Sequence, residues 1–112
     1  MKKIILIISS VLFFSFSALA EEHADAALEH ANAALAQGKQ GNVHILAEHA
    51  IQAVQHAEQA AQAANGPAKA HIESGVKHLH EAIKLANAGH GSKADQHLQT
   101  AIEHIKTGNS AG

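Results

Sequence analysis

A seven-residue unit, (Glu/Gln/Lys)-His-(Ala/Leu)-x-x-Ala-(Leu/Val/Ile), returns five times along this chain, at residues 22–28, 29–35, 48–54, 77–83 and 96–102. A strand alternates its faces with period two, so a period of seven selects the amphipathic helix. Labelling the final apolar position a makes the residue after His position d, the Ala before a position g, and His position c. The a and d positions hold Leu28, Leu35, Val54, Val76, Leu79, Ile83, Leu98, Ile102 and Ile105, with Ala31, Ala50 and Ala57. They predict the core of an all-α, antiparallel four-helix bundle. That core is thin, because so many of its positions are alanine.

Breaks at Gly38–Asn42, Asn65-Gly66-Pro67 and Asn87–Ser92 divide the pattern into helices over about 22–37, 43–64, 68–87 and 92–107. Gly108 to Gly112 reads as a frayed tail. A shift of 48 residues superimposes the halves: His23 falls on His71, His30 on His78, His49 on His97, His56 on His104, and Gly41 on Gly89. The bundle is therefore expected to be two copies of one helical hairpin. His44, His80 and His90 have no counterpart under that shift.

Histidine costs roughly half a kcal/mol per residue against alanine in a helix. Its repeated use at position c, outside the predicted core, asks for a chemical reason. One helix alone offers little: the chain has no H-x-x-H and no H-x-x-x-H. Seven residues rise roughly 10.5 Å, too far for two imidazoles to share an ion. The start of a zinc-protease motif at His80-Glu81 fails at Lys84, and no Glu-x-x-His is present for a di-iron centre. The mixed pairs possible within a helix are His44 with Glu48 and His78 with Glu81. Across an antiparallel hairpin, residues with a constant index sum stand level. His23/His56 and His30/His49 both sum to 79, and His71/His104 and His78/His97 both sum to 175. The next slots towards the turns hold Gln37/Asn42 and Leu85/His90. Glu22, Glu29, Glu48 and Glu103 each precede a His and are candidates to add an oxygen or to orient a ring.

Composition narrows the chemistry. Residues 1–20 carry two lysines, an apolar run from Ile4 and the small-residue site Ala18-Leu19-Ala20, as a secretory signal peptide does. Cleavage after Ala20 leaves residues 21–112 as the domain, takes the formal charge from −2 to −4 by loss of Lys2 and Lys3, and keeps all 11 His. There is no Cys, so disulfides, thiolate sites and a lipid-anchored cysteine are excluded, and soft Cu(I) has no thiolate to prefer. A mildly acidic chain without a basic stripe is a poor nucleic-acid binder.

Together these features resemble the small metal-binding protein (SmbP) family of bacterial periplasms. VKHLHEAIKLANAGHG and KADQHLQTAIEHI carry the likeness most strongly. The resemblance implies a periplasmic four-helix bundle that binds several divalent ions, Cu(II) foremost, in copper tolerance or metal storage. Relatives tend to carry more histidine, so Gln37, Asn42 and Leu85 imply a lower capacity here.

The expected function is sequestration or buffering of Cu(II), with Ni(II) and Zn(II) also accepted, by a monomer that has no membrane contact once its leader is removed. The expected ligands are His23, His30, His44, His49, His56, His71, His78, His90, His97 and His104. Neutral imidazole suits these metals, and Cu(II) binds most tightly in the usual order. The rival class is a pH-responsive structural protein switched by histidine protonation, and a copper delivery chaperone is a variant of the main reading. No enzyme is expected, since no nucleophile or acid/base pair is signalled.

Overall fold

Alanine is the strongest helix former, and here it fills the positions that the heptad leaves for close packing. Local propensity and pattern therefore agree. The computed structural model describes residues 17–111. They form α1 (Ala18–Lys39), α2 (Val43–Ala63), α3 (Gly66–Asn87) and α4 (Gly91–Ser110). Each helix packs on its neighbours in a ring, α1 on α2, α2 on α3, α3 on α4, and α4 back on α1. Short turns make consecutive helices antiparallel, so the all-α four-helix bundle of two hairpins is what the chain forms.

Helix ends follow local chemistry. α1 starts four residues before its expected start because the Ser17 hydroxyl accepts from the backbone N–H of Leu19 (3.2 Å) and Ala20 (3.3 Å). The expected leader lies mostly outside the described residues; its last residue, Ala20, is buried in the bundle. The two hairpin turns are the same turn twice. Gly41 (φ 85°) and Gly89 (φ 83°) take the left-handed conformation that ends each first helix. The following N–H of Asn42 reaches Gln37 O at 2.9 Å, and that of His90 reaches Leu85 O at 2.8 Å.

The buried stripe departs from expectation. On α1 it is Ala20, Ala24, Ala27, Ala31 and Ala34, and on α3 it is Ala68, Ile72, Gly75, Leu79, Ala82 and Ala86. These are d and g positions. Leu28, Leu35, Val76 and Ile83, expected in the core at position a, are half-buried on its flank. The largest fully buried side chains are Leu46, Ile72, Leu79, Leu98 and Ile105, of which Leu46 stands at g. On α1 and α3 a small residue at g lets the backbones close on that side, so the stripe turns from a/d towards d/g, whereas α2 and α4 bury position a as well, at Ala47, Val54, Ala61 and Ile102. At about 100° per residue, position c then lies about 70° from the stripe's centre instead of about 130°. On α1 and α3 that rotation carries the histidines from the outer surface to the edge of the core.

The expected frayed tail is also corrected. α4 continues to Ser110, and Gly108 is buried. A Cβ at Gly108 would lie 2.7 Å from Ile72 Cγ1 and 2.9 Å from Ala68 O. A Cβ at Gly75 would lie 2.6 Å from Ile105 Cγ1. Packing of α3 against α4 through these two glycines holds the end of α4 in place.

Candidate metal centre

Position c points from each helix into the groove it shares with its hairpin partner. All eight duplicated histidines, His23, His30, His49, His56, His71, His78, His97 and His104, are half-buried there. His44, His80 and His90 are exposed. The α1/α2 and α3/α4 grooves lie on opposite faces of the ring of helices.

The level pairs meet. Ring centroids are 5.4 Å apart in His23/His56, 6.0 Å in His30/His49, 6.0 Å in His71/His104 and 5.3 Å in His78/His97. Index arithmetic did not reveal the stagger between these rungs. His30 stacks on His56 at 5.6 Å and 7°, and His78 stacks on His104 at 5.6 Å and 9°. Each groove thus holds a continuous ladder of four rings, His23–His56–His30–His49 in one and His71–His104–His78–His97 in the other.

Two rungs are closed by nitrogen contacts. His23 Nδ1 lies 3.1 Å from His56 Nδ1, and His78 Nδ1 lies 3.0 Å from His97 Nδ1. A neutral imidazole donates from one nitrogen and accepts at the other, so each contact joins one Nδ1–H to one Nδ1 lone pair. Removing the shared proton by a change of tautomer would aim two lone pairs at one point.

The other candidates are placed differently. His90 occupies the N-cap position of α4 without a side-chain capping bond. His44 Nε2 lies 3.7 Å from Glu48 Oε2, with both side chains well exposed. Glu48 therefore sits beside His44 and not beside His49, and Glu22, Glu29 and Glu103 form no ion pair with any ring. The Gln37/Asn42 slot is closed by a hydrogen bond from Asn42 Nδ2 to Gln37 Oε1 at 2.9 Å. Glu81 forms no bond to His78, yet its charge acts on that ring. Burial, then the neighbouring His97 and His104, hold the His78 imidazolium below its ordinary pKa, and Glu81 opposes them. Among the described residues, no three His, Asp or Glu side chains converge on one point closely enough to hold an ion. The described residues offer two imidazole pairs with their nitrogens in contact and two further level pairs, and no group of three or more such side chains placed to share an ion.

Compared with known protein families, residues 1–108 match the family described as small metal-binding protein. No curated protein matches the chain.

Proposed function

This chain belongs to the small metal-binding protein family, and from that premise we propose that it sequesters or buffers divalent transition metals in the periplasm, Cu(II) foremost, on its two histidine ladders. The observation that carries this reading is the Nδ1···Nδ1 separation of 3.1 Å in His23/His56 and 3.0 Å in His78/His97. Two bonds of about 2.0 Å meeting at a right angle place their nitrogens about 2.8 Å apart, and a tetrahedral angle places them about 3.3 Å apart. The closed rungs fall between these values, so either geometry is reached by small ring movements. Tetragonal Cu(II) and Ni(II) and tetrahedral Zn(II) can all be accepted, and the order of Cu(II) over Zn(II) follows from intrinsic affinity.

Two nitrogens per ion leave the remaining positions to water or small anions. Such sites exchange their metal readily and suit a buffer better than a catalyst. A periplasmic location is supported by the leader-like residues 1–20. No helix among the described residues is long and apolar enough to cross a membrane.

The test is calorimetric titration with Cu(II) at pH 7.5 of the wild type and of a variant with all eight ladder histidines changed to Gln. The expected result is several equivalents bound by the wild type and loss of every tight one in the variant, although His44, His80 and His90 remain. A variant that binds as tightly through those three residues would overturn the proposal.

A further inference from the structure

The two hairpins are copies in sequence and differ in which rung is closed. In the first hairpin it is His23/His56, the rung farther from the turn, with a 3.1 Å nitrogen contact. In the second it is His78/His97, the rung nearer the turn, with a 3.0 Å contact. Their counterparts under the duplication, His71/His104 and His30/His49, both stand at 6.0 Å between ring centroids. His49 Nδ1 is buried without a hydrogen-bond partner.

We infer that the chain fills in two tiers, one ion per hairpin binding first, at His23/His56 and at His78/His97, and a second ion per hairpin following with lower affinity at His30/His49 and at His71/His104. The inference rests on the reading of the ladders as metal sites. It is supported by two independent effects.

The first effect is preorganisation. In a closed rung both rings already stand at nearly chelating separation, so little rotamer freedom is lost when the ion arrives. An open rung must first swing its rings together. At His30/His49 this movement also disturbs the stacking of His30 on His56, which belongs to the closed rung. At His71/His104 it disturbs the stacking of His104 on His78.

The second effect is charge. Successive rungs of one ladder are a heptad apart, roughly 10.5 Å along the axis. Two doubly charged ions at that distance repel enough, even in water, to weaken the second by about tenfold. The first two ions feel less of this repulsion because they sit in grooves on opposite faces of the bundle. Salt with a screening length near 10 Å at about 0.1 M reduces the penalty within one ladder.

The experiment is Cu(II) titration by calorimetry at pH 7.5, in low and in high salt, on the wild type and on four single variants. His56→Gln and His97→Gln each open a closed rung, whereas His49→Gln and His104→Gln each remove half of an open one. Helix content from circular dichroism verifies that every variant is folded. The wild type is expected to show two tight equivalents, then weaker ones separated by about tenfold or more in low salt, with a smaller gap in high salt. His56→Gln and His97→Gln should each lose one tight equivalent, while His49→Gln and His104→Gln keep both and lose only weak binding. Equal losses in all four variants would overturn the ordering and leave the metal sites standing. Absence of binding by the wild type would overturn the metal reading itself.

Discussion

His78 illustrates how much one position can carry. It pairs with His97 through nitrogen, stacks on His104, and feels the carboxylate of Glu81 one helical turn away. Burial and its two imidazole neighbours outweigh Glu81, so its folded pKa lies below the ordinary value of 6.5. The sign follows directly. The unfolded chain takes up this proton more readily than the folded chain, so folding stability is full above about pH 6.5 and falls as the pH drops from there through the folded pKa. In an NMR titration of the metal-free protein, His78 should titrate below 6.5, and His97→Gln should move its midpoint upward by removing one of the lowering charges. A midpoint at or above 6.5 in the wild type would contradict this account. Metal occupancy has the same direction, since protons compete for the nitrogens, and Cu(II) affinity should fall steeply between pH 7.5 and pH 5. The residues of the ladders were legible in the sequence, because level index sums depend only on hairpin length. The staggered contacts of His30 with His56 and His78 with His104 were not, because they depend on ring rotation about χ angles that spacing does not encode.

At the scale of the helix, the informative departure is the turn of the buried stripe of α1 and α3 from a/d to d/g. Apolar size points to Leu28, Leu35 and Ile83, but the bundle closes over the smaller Ala27, Ala34 and Ala82 beside them. A reading that weights large side chains misses this, because close backbone approach favours small ones. On α1 and α3 the rotation turns position c towards the groove in which the histidines meet. Gly75 belongs to the same closure. A methyl group there would lie 2.6 Å from Ile105 Cγ1, inside a fully packed site. Gly75→Ala therefore trades a helix-propensity gain of up to about 1 kcal/mol against an overpacking cost of about 1–3 kcal/mol. A net loss of about 1 kcal/mol in urea unfolding is expected, and a stabilised variant would show that α3 and α4 are less tightly joined. Leu46 is the one large, fully buried side chain of α2. Leu46→Ala should cost about 2–5 kcal/mol in the same measurement.

For the whole molecule, duplication explains both the repeated turns and the pair of ladders on opposite faces. The four helices are joined by a continuous, mostly alanine core, with the ladders at its edge, so metal is expected to add to a formed structure and not to create it. Stripping bound metal with a chelator should leave the far-UV circular dichroism spectrum unchanged. Restoring an ion at 100 times its Kd should add about 2.7 kcal/mol, equivalent to about 10–20 °C in Tm for a domain of this size. Loss of helix on chelation would instead place the ion among the structural elements of the fold. The central claim is that each ion is held between two helices by a pair of imidazoles. The measurement that tests it most directly is X-ray absorption and pulsed EPR spectroscopy of the protein loaded with two equivalents of Cu(II), which counts the imidazole nitrogens on each ion. The account predicts two per copper, at about 2.0 Å, and loss of that signature when the eight ladder histidines are changed to Gln. One imidazole per copper, or an unchanged spectrum in that variant, would contradict it.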